Sequence, residues 1–219
     1  MMMTIRPGEY RPRTAEQFIG GARQRCIELT RKIDRLRKND GFFRGLFYGD
    51  PGVGKSELAL ALALHATGHE LAIEHYNGQD VTVEMVREWR RSAVGSLFSR
   101  WTARIIDEWD RMNEAAQASF LTLLDLRWKR CIYIVTTNKP LQDIRTREPK
   151  DGIPERDQTR MQLYKFSRVG TQEIADWLVN QWGAPPGRAV AIAEANYGNV
   201  RGALLDWERD LDRMEVQAA

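Results

Sequence analysis

The stretch Gly49-Asp50-Pro51-Gly52-Val53-Gly54-Lys55-Ser56 matches the pattern G-x-x-x-x-G-K-S. An apolar run at residues 45–48 predicts a strand before it, and an alanine- and leucine-rich run at residues 57–66 predicts a helix after it. Its glycines let the backbone bring N–H groups close to phosphate oxygens, and the helix N-terminus adds partial positive charge. The stretch therefore predicts a phosphate-binding loop, to which the alternative is an ordinary glycine-rich turn.

Residues 49–57 are predicted to bind a nucleotide. The Lys55 ammonium is expected to reach the β- and γ-phosphates, and the Ser56 hydroxyl is expected to bind Mg²⁺. The other predicted binding residues of this stretch are Gly49, Asp50, Pro51, Gly52, Val53, Gly54 and Glu57.

Length and composition indicate a soluble globular protein. The 219 residues suffice for one large domain, or for one large and one small domain, and 42% are hydrophobic. No apolar run approaches the ~20 residues of a membrane span, and the N-terminus has no secretory pattern. Cys26 and Cys131 lack a metal-type spacing. We therefore expect a cytoplasmic protein, whose net charge of +3 is compatible with nucleic acid without requiring it.

Two adjacent carboxylates, Asp107 and Glu108, end an apolar run at residues 103–106. In phosphate-loop enzymes a strand-end Asp binds Mg²⁺, and an adjacent Glu can act as the general base for the attacking water. We therefore predict Asp107 as a metal residue and Glu108 as a catalytic residue. Asn138 follows another apolar run and either orients the attacking water or merely starts the loop before Pro140.

The rest of the chain predicts an α/β domain followed by a helical one. A helix at residues 22–38 has one apolar face and one basic face, and the basic face is either simply solvated or contacts nucleic acid. Residues 139–158 predict a loop. The pattern becomes helical after Gly170, so the predicted domains are 1–168 and 169–219. The histidines at 65, 69 and 75 show no ligand pattern.

Six stretches, in order, resemble the AAA+ ATPases of the clamp-loader branch, such as replication factor C small subunits and the DNA polymerase III clamp-loader ATPase. The resemblance runs nearly from end to end of the chain. The stretches are 10–14 with 18–20, 77–80, 106–110 with 113–117, 136–138, 158–161 and 198–201.

This resemblance implies a parallel five-stranded sheet ordered 5-1-4-3-2, an N-terminal linker by the adenine at residues 1–21, and a helical lid. It also implies Mg²⁺-dependent hydrolysis of ATP to ADP in a ring or spiral. Arg160 is then the catalytic arginine that acts in trans on a neighbouring subunit's nucleotide. Asn138 corresponds to the residue that senses the γ-phosphate. The further nucleotide-binding residues implied are Tyr10, Arg11, Ile19 and Arg201.

Departures from the family pattern limit the comparison. Met161 and Thr159 replace a Cys and a Ser beside Arg160, and the long preceding loop holds three rival arginines, Arg145, Arg147 and Arg156. The resemblance covers the ATPase core and lid without the helical collar of clamp loaders. The expectation is therefore a minimal ATPase of the same build.

Three functions stay open on these residues. The first is an oligomeric ATPase motor or switch acting on DNA in replication, recombination or mobile-element processes, with other replication or recombination proteins as candidate partners. The second is an ATPase that remodels a protein partner without contacting DNA. The third is a nucleotide-binding assembly subunit without turnover, which loss of the phosphate loop or of Glu108 would mark, and neither is lost.

Overall fold

A computed structural model of the chain describes residues 6–91, 98–142 and 152–218. Within those ranges, no helix combines the length and the apolar character needed to cross a bilayer. The chain divides into two compact units, which are the described parts of Ile27–Gly49 with Ala59–Lys165, and the described parts of Met1–Cys26, Asp50–Leu58 and Phe166–Ala219. The domain division predicted at residues 168 and 169 stays a prediction.

A parallel five-stranded sheet forms the centre of the first unit. Its order is β2-β3-β4-β1-β5, which confirms the predicted order 5-1-4-3-2. Asn77 pairs with Asp107 across β2 and β3, so the carboxyl ends of these neighbouring strands meet at one edge. The strands are β1 (Phe42–Gly49), β2 (Ile73–Asn77), β3 (Thr102–Asp107), β4 (Cys131–Thr137) and β5 (Gln162–Phe166).

Eight α-helices are assigned in the described residues. The predicted helix at 22–38 begins earlier, at Gly20. The predicted loop at 139–158 is wrong at its end, because residues 155–158 form a helical turn after Pro154. The helices are α1 (Gly20–Lys38), α2 (Lys55–Thr67), α3 (Val83–Arg91), α4 (Glu114–Asp125), α5 (Glu155–Gln158), α6 (Thr171–Trp182), α7 (Pro186–Ala195) and α8 (Val200–Ala218).

An aromatic cluster fills the core on one side of the sheet. The fully buried Phe120 of α4 packs its ring against Trp109, Tyr133 and Trp89, with ring centroids 5.4, 5.7 and 6.2 Å away. Such tilted and edge-to-face pairs stabilise a core beyond the area that they bury. The cluster thus supports the end of β3 and the residues that follow it, where the acidic pair Asp107-Glu108 lies.

The second unit has a helical core of its own. Ile174 and Leu178 are one helical turn apart on α6 and fully buried, and they pack with residues of α7 and α8 such as Ile192 and Trp207. Trp207 of α8 is buried, whereas Met214, about two turns later on the same helix, is exposed.

Candidate functional site

The loop after β1 has the backbone of a phosphate-binding loop. Gly49, Gly52 and Gly54 adopt φ values of 131°, 72° and 91°, a region that favours glycine. The helix α2 begins at Lys55, and its first bond runs from the Leu58 N–H to the Gly54 carbonyl at 2.9 Å. The N–H groups of this first turn have no earlier helical partner, so they suit an anion.

The Lys55 side chain lies within its own loop. It is buried, and its ammonium donates to the Asp50 carbonyl at 2.6 Å. Ser56 and Glu57 follow in the first turn of α2, and the Val53 side chain is buried while Pro51 is exposed. An ammonium at this position suits a nucleotide phosphate, which lysine binds as a point charge.

The turn between α7 and α8 rests against this loop. The Arg201 backbone N–H donates to the Gly52 carbonyl at 3.2 Å. A Cβ at Gly52 would collide with the Asn199 side chain, which explains the glycine independently of its φ. Arg168 contacts both parts, with its Nε 3.4 Å from Asp50 Oδ1 and its Nη1 donating to the Tyr197 carbonyl at 3.1 Å.

The N-terminal segment contributes an aromatic cluster that the sequence did not reveal. The Tyr10 ring packs against Trp177 at 5.9 Å and Trp182 at 5.3 Å, and burial raises the pKa of its hydroxyl. Arg11 lies 3.6 Å from Glu57 of α2, and Ile19 packs on the helical core. These tryptophans lie more than 160 residues further along the chain, so no local pattern pairs them with Tyr10.

The acidic pair at the end of β3 is held by neighbouring strands. Asp107 accepts a hydrogen bond from the Thr136 hydroxyl at 2.7 Å, and His75 Nε2 lies 2.7 Å from its other carboxylate oxygen. Glu108 accepts from the Asn77 amide at 2.8 Å and lies 3.0 Å from Arg111. Both carboxylates therefore have fixed orientations.

Glu108 has a backbone conformation that is rare for this residue type. Its φ and ψ are 55° and 50°, in the left-handed region. Gly78 passes so close that an added Cβ would collide with the Glu108 carbonyl oxygen. Strain of about 1–3 kcal/mol per such residue persists where the surroundings over-determine it, and it clusters at functional sites.

The two residues after Glu108 are also anchored. The Trp109 indole N–H donates to the buried Asp157 of α5 at 2.9 Å, and Asp110 accepts from the Thr137 hydroxyl at 2.6 Å. Burial raises the pKa of the Asp157 carboxyl. Asn138 follows β4 directly and its side chain is exposed.

A match to a protein family identifies the class of protein that contains this loop and this acidic pair. The model of the family described as IstB-like ATP binding protein matches residues 16–147. The chain belongs to this family. This places the chain among the AAA+ ATPases, in agreement with the predicted resemblance.

Curated relatives agree with the AAA+ assignment. The chain is 26% identical over 174 residues to a replication factor C small subunit of Methanocella arvoryzae, and 30% identical over 180 residues to a replication factor C small subunit 2 of Pyrobaculum arsenaticum. Each match covers 76% of this chain and 49% of the relative, so the chain spans about half the length of these relatives.

A solved structure shows the same fold. The RuvB Holliday junction branch migration motor of Thermotoga maritima matches with a TM-score of 0.72 at 18% identity, covering 95% of this chain and 67% of that one. The parallel sheet and its strand order therefore have an experimentally determined counterpart.

Arg160 is paired with residues of its own chain at the surface. Arg160 Nε lies 3.1 Å from Asp125 Oδ2 of α4, and its Nη1 donates to the Arg156 carbonyl at 3.2 Å. Arg156 itself contacts Asp157 and Gln117. The other two rival arginines, Arg145 and Arg147, lie outside the described residues. A role for Arg160 in trans stays a prediction.

The residues predicted to bind Mg²⁺ have suitable chemistry. Ser56 offers a hydroxyl and Asp107 a carboxylate, and Mg²⁺ prefers such oxygen ligands together with water and substrate phosphates. Across residues 6–91, 98–142 and 152–218, no group of three or more His, Cys, Asp or Glu side chains forms an all-protein metal cage.

Proposed function

We propose that this protein is a Mg²⁺-dependent ATPase that works as an oligomer on DNA. The observation that carries the proposal is the loop conformation, in which three glycines adopt left-handed backbone angles immediately before Lys55 opens α2. The fixed acidic pair after β3 supplies the second requirement, because hydrolysis needs a carboxylate as general base. Residues 169–219 would form the lid.

Each residue has a distinct part in this proposal. Lys55 binds the phosphates, and Glu108 accepts the proton of the attacking water, which Asn138 orients. Asp107 and Ser56 would hold Mg²⁺, which neutralises phosphate charge when bound. Tyr10, Arg11, Ile19 and Arg201 complete the nucleotide-binding set.

Lys55→Ala tests nucleotide binding directly. Removing the ammonium should weaken binding of Mg²⁺-ADP by about 10- to 100-fold, since a hydrogen bond to a charged group contributes about 1.5–3 kcal/mol. Isothermal titration calorimetry measures this. Lys165→Ala, which removes an exposed lysine of β5, is the control and should bind as the parent chain does. Equal affinity in all three proteins would contradict the proposal.

One exposed stripe of α1 supports a DNA contact. Arg31, Arg35 and Lys38 are spaced four and three residues apart, and their side chains are exposed. Lys32 of the same helix is not part of this exposed stripe, because its ammonium donates to the side chains of Gln162 and Tyr164 at 2.6 and 3.1 Å. Names of relatives that refer to replication and to Holliday junction branch migration add to this support.

Replacing Arg31 and Arg35 together by glutamine should weaken binding to duplex DNA and flatten its salt dependence. Each phosphate contact contributes about 0.9 to the slope of log K against log salt, so the slope should fall by about 2. Fluorescence anisotropy with labelled duplex, between low and moderate salt, measures it.

The matched control for that experiment is the pair Arg209→Gln and Arg213→Gln on α8. These two exposed arginines are also four residues apart, so the net charge changes equally. If both double variants lose the same slope, the stripe is not the contact. If the parent chain shows no saturable DNA binding with an ATP analogue, the alternative of remodelling a protein partner is favoured.

A further inference from the structure

A histidine on β2 contacts Asp107, the carboxylate predicted to bind Mg²⁺. His75 Nε2 lies 2.7 Å from Asp107 Oδ2, although the two residues are 32 positions apart in sequence. An ionised carboxylate only accepts hydrogen bonds, so the Nε2 atom carries a proton and donates it. The Thr136 hydroxyl donates to the other oxygen of the same carboxylate at 2.7 Å. Asp107 is therefore held from both sides.

The strand register explains why His75 reaches this position. His75 and Asn77 are two residues apart on β2, so their side chains point to the same face of the sheet. In the register of β2 and β3 they lie opposite Ile105 and Asp107. One face of β2 thus supplies a donor to each acid, Asn77 to Glu108 and His75 to Asp107.

We propose that His75 is a positioning residue that sets the orientation of the Asp107 carboxylate toward Mg²⁺. The inference rests on the proposed function of Asp107. Donors behind a ligating carboxylate fix its plane, and their removal typically lowers metal affinity by about 10- to 100-fold. Without His75 the carboxylate keeps the Thr136 donor but loses one of the restraints on its plane.

The test compares two substitutions of nearly equal size. His75→Gln keeps a neutral N–H donor at about the reach of Nε2, whereas His75→Met has a similar length and no donor. In the presence of ADP, His75→Met should need about 10- to 100-fold more metal for half-saturation, and His75→Gln should recover most of that loss. Electron paramagnetic resonance of bound Mn²⁺ reports binding without turnover. Nucleotide affinity in EDTA should be the same in all proteins.

A second histidine–aspartate pair provides the control. His65 Nε2 lies 2.7 Å from Asp34 Oδ1, and the His65 and His75 side chains are 35% and 38% exposed. His65→Met removes an equivalent contact and should leave metal binding unchanged. Because both histidines are this exposed, circular dichroism should show folded variants.

Three outcomes would overturn the inference. In the first, His75→Met binds metal as tightly as the parent chain does. In the second, His75→Met and His75→Gln lose the same metal affinity, which indicates that the packing of the imidazole ring matters and its hydrogen bond does not. In the third, the parent chain binds ADP but no metal, which refutes both the metal-binding role of Asp107 and the inference about His75. If instead the parent binds metal with ADP and His75→Met does too, only the role of His75 fails.

Discussion

Glu108→Gln is expected to bind ATP like the parent chain and to hydrolyse it about 10²- to 10⁴-fold more slowly, the usual size of a general acid–base effect. The glutamine keeps an oxygen that accepts from Asn77, which lies 2.8 Å from the carboxylate, but it cannot take up the proton of water. Single-turnover hydrolysis of radiolabelled ATP by the preloaded protein measures the chemical step.

The substitution also removes the contact of Glu108 with Arg111, which needs a control. Glu84 and Arg87 on α3 form the same kind of pair three residues apart, 3.7 Å from each other and exposed. Exposed pairs of this kind contribute about 0–1 kcal/mol. Glu84→Gln should therefore hydrolyse ATP normally. A parental single-turnover rate in Glu108→Gln would assign the base elsewhere, with Asp110 as the next candidate.

Arg160→Ala is expected to bind ATP normally and to lose about 10³- to 10⁵-fold in turnover, the size typical of an arginine supplied to a transferring phosphoryl group. The physical reason is that a cation stabilises charge that develops only in the transition state. Steady-state ATPase assays at assembling protein concentrations, with binding measured separately, give the two quantities.

The contact between Arg160 and Asp125 makes a sharp control possible. The two side chains are 38% and 49% exposed and 3.1 Å apart. If Arg160 only pairs with its own surface, Asp125→Ala breaks the same pair and should reproduce the phenotype of Arg160→Ala. If Arg160 acts on nucleotide, Asp125→Ala should retain turnover. Equal loss in both variants would contradict a catalytic role.

Mixing variants distinguishes action in trans from action within one subunit. Lys55→Ala subunits hold nucleotide poorly but can lend Arg160 to a neighbour, so mixtures with Arg160→Ala should regain activity at intermediate ratios. Co-sedimentation establishes that the variants assemble together. Assembly without recovery would place the arginine in its own subunit's site and would refute the role in trans.

The phosphate loop and the α/β class could be predicted because each depends on local sequence. A glycine at 49, 52 or 54 adopts positive φ with little strain, and Lys55 can then open a helix. The apolar runs at residues 45–48 and 103–106 lie in β1 and β3, and the resemblance supplied the order of the five strands. That order depends on pairing between distant segments, which periodicity alone does not specify.

Side-chain partners across the sheet could not be predicted in the same way. His75 showed no ligand pattern in the sequence, although it lies two positions before Asn77, a spacing that places two strand side chains on one face. Trp109 is hydrogen-bonded to Asp157, which lies 48 positions later in the sequence, and Arg160 is hydrogen-bonded to Asp125, which lies 35 positions earlier. Each contact exists only once the strands and helices between them are packed.

The sequence by itself therefore determined the phosphate loop, the acidic pair Asp107-Glu108 and the α/β class, because each follows from backbone conformations and periodicities set within a few residues. Only the tertiary structure decided which donors hold the acids and where Arg160 lies. The reason is that hydrogen bonds and ion pairs form at about 3 Å. Register and packing bring residues some 30 positions apart to that distance, and neither is encoded locally.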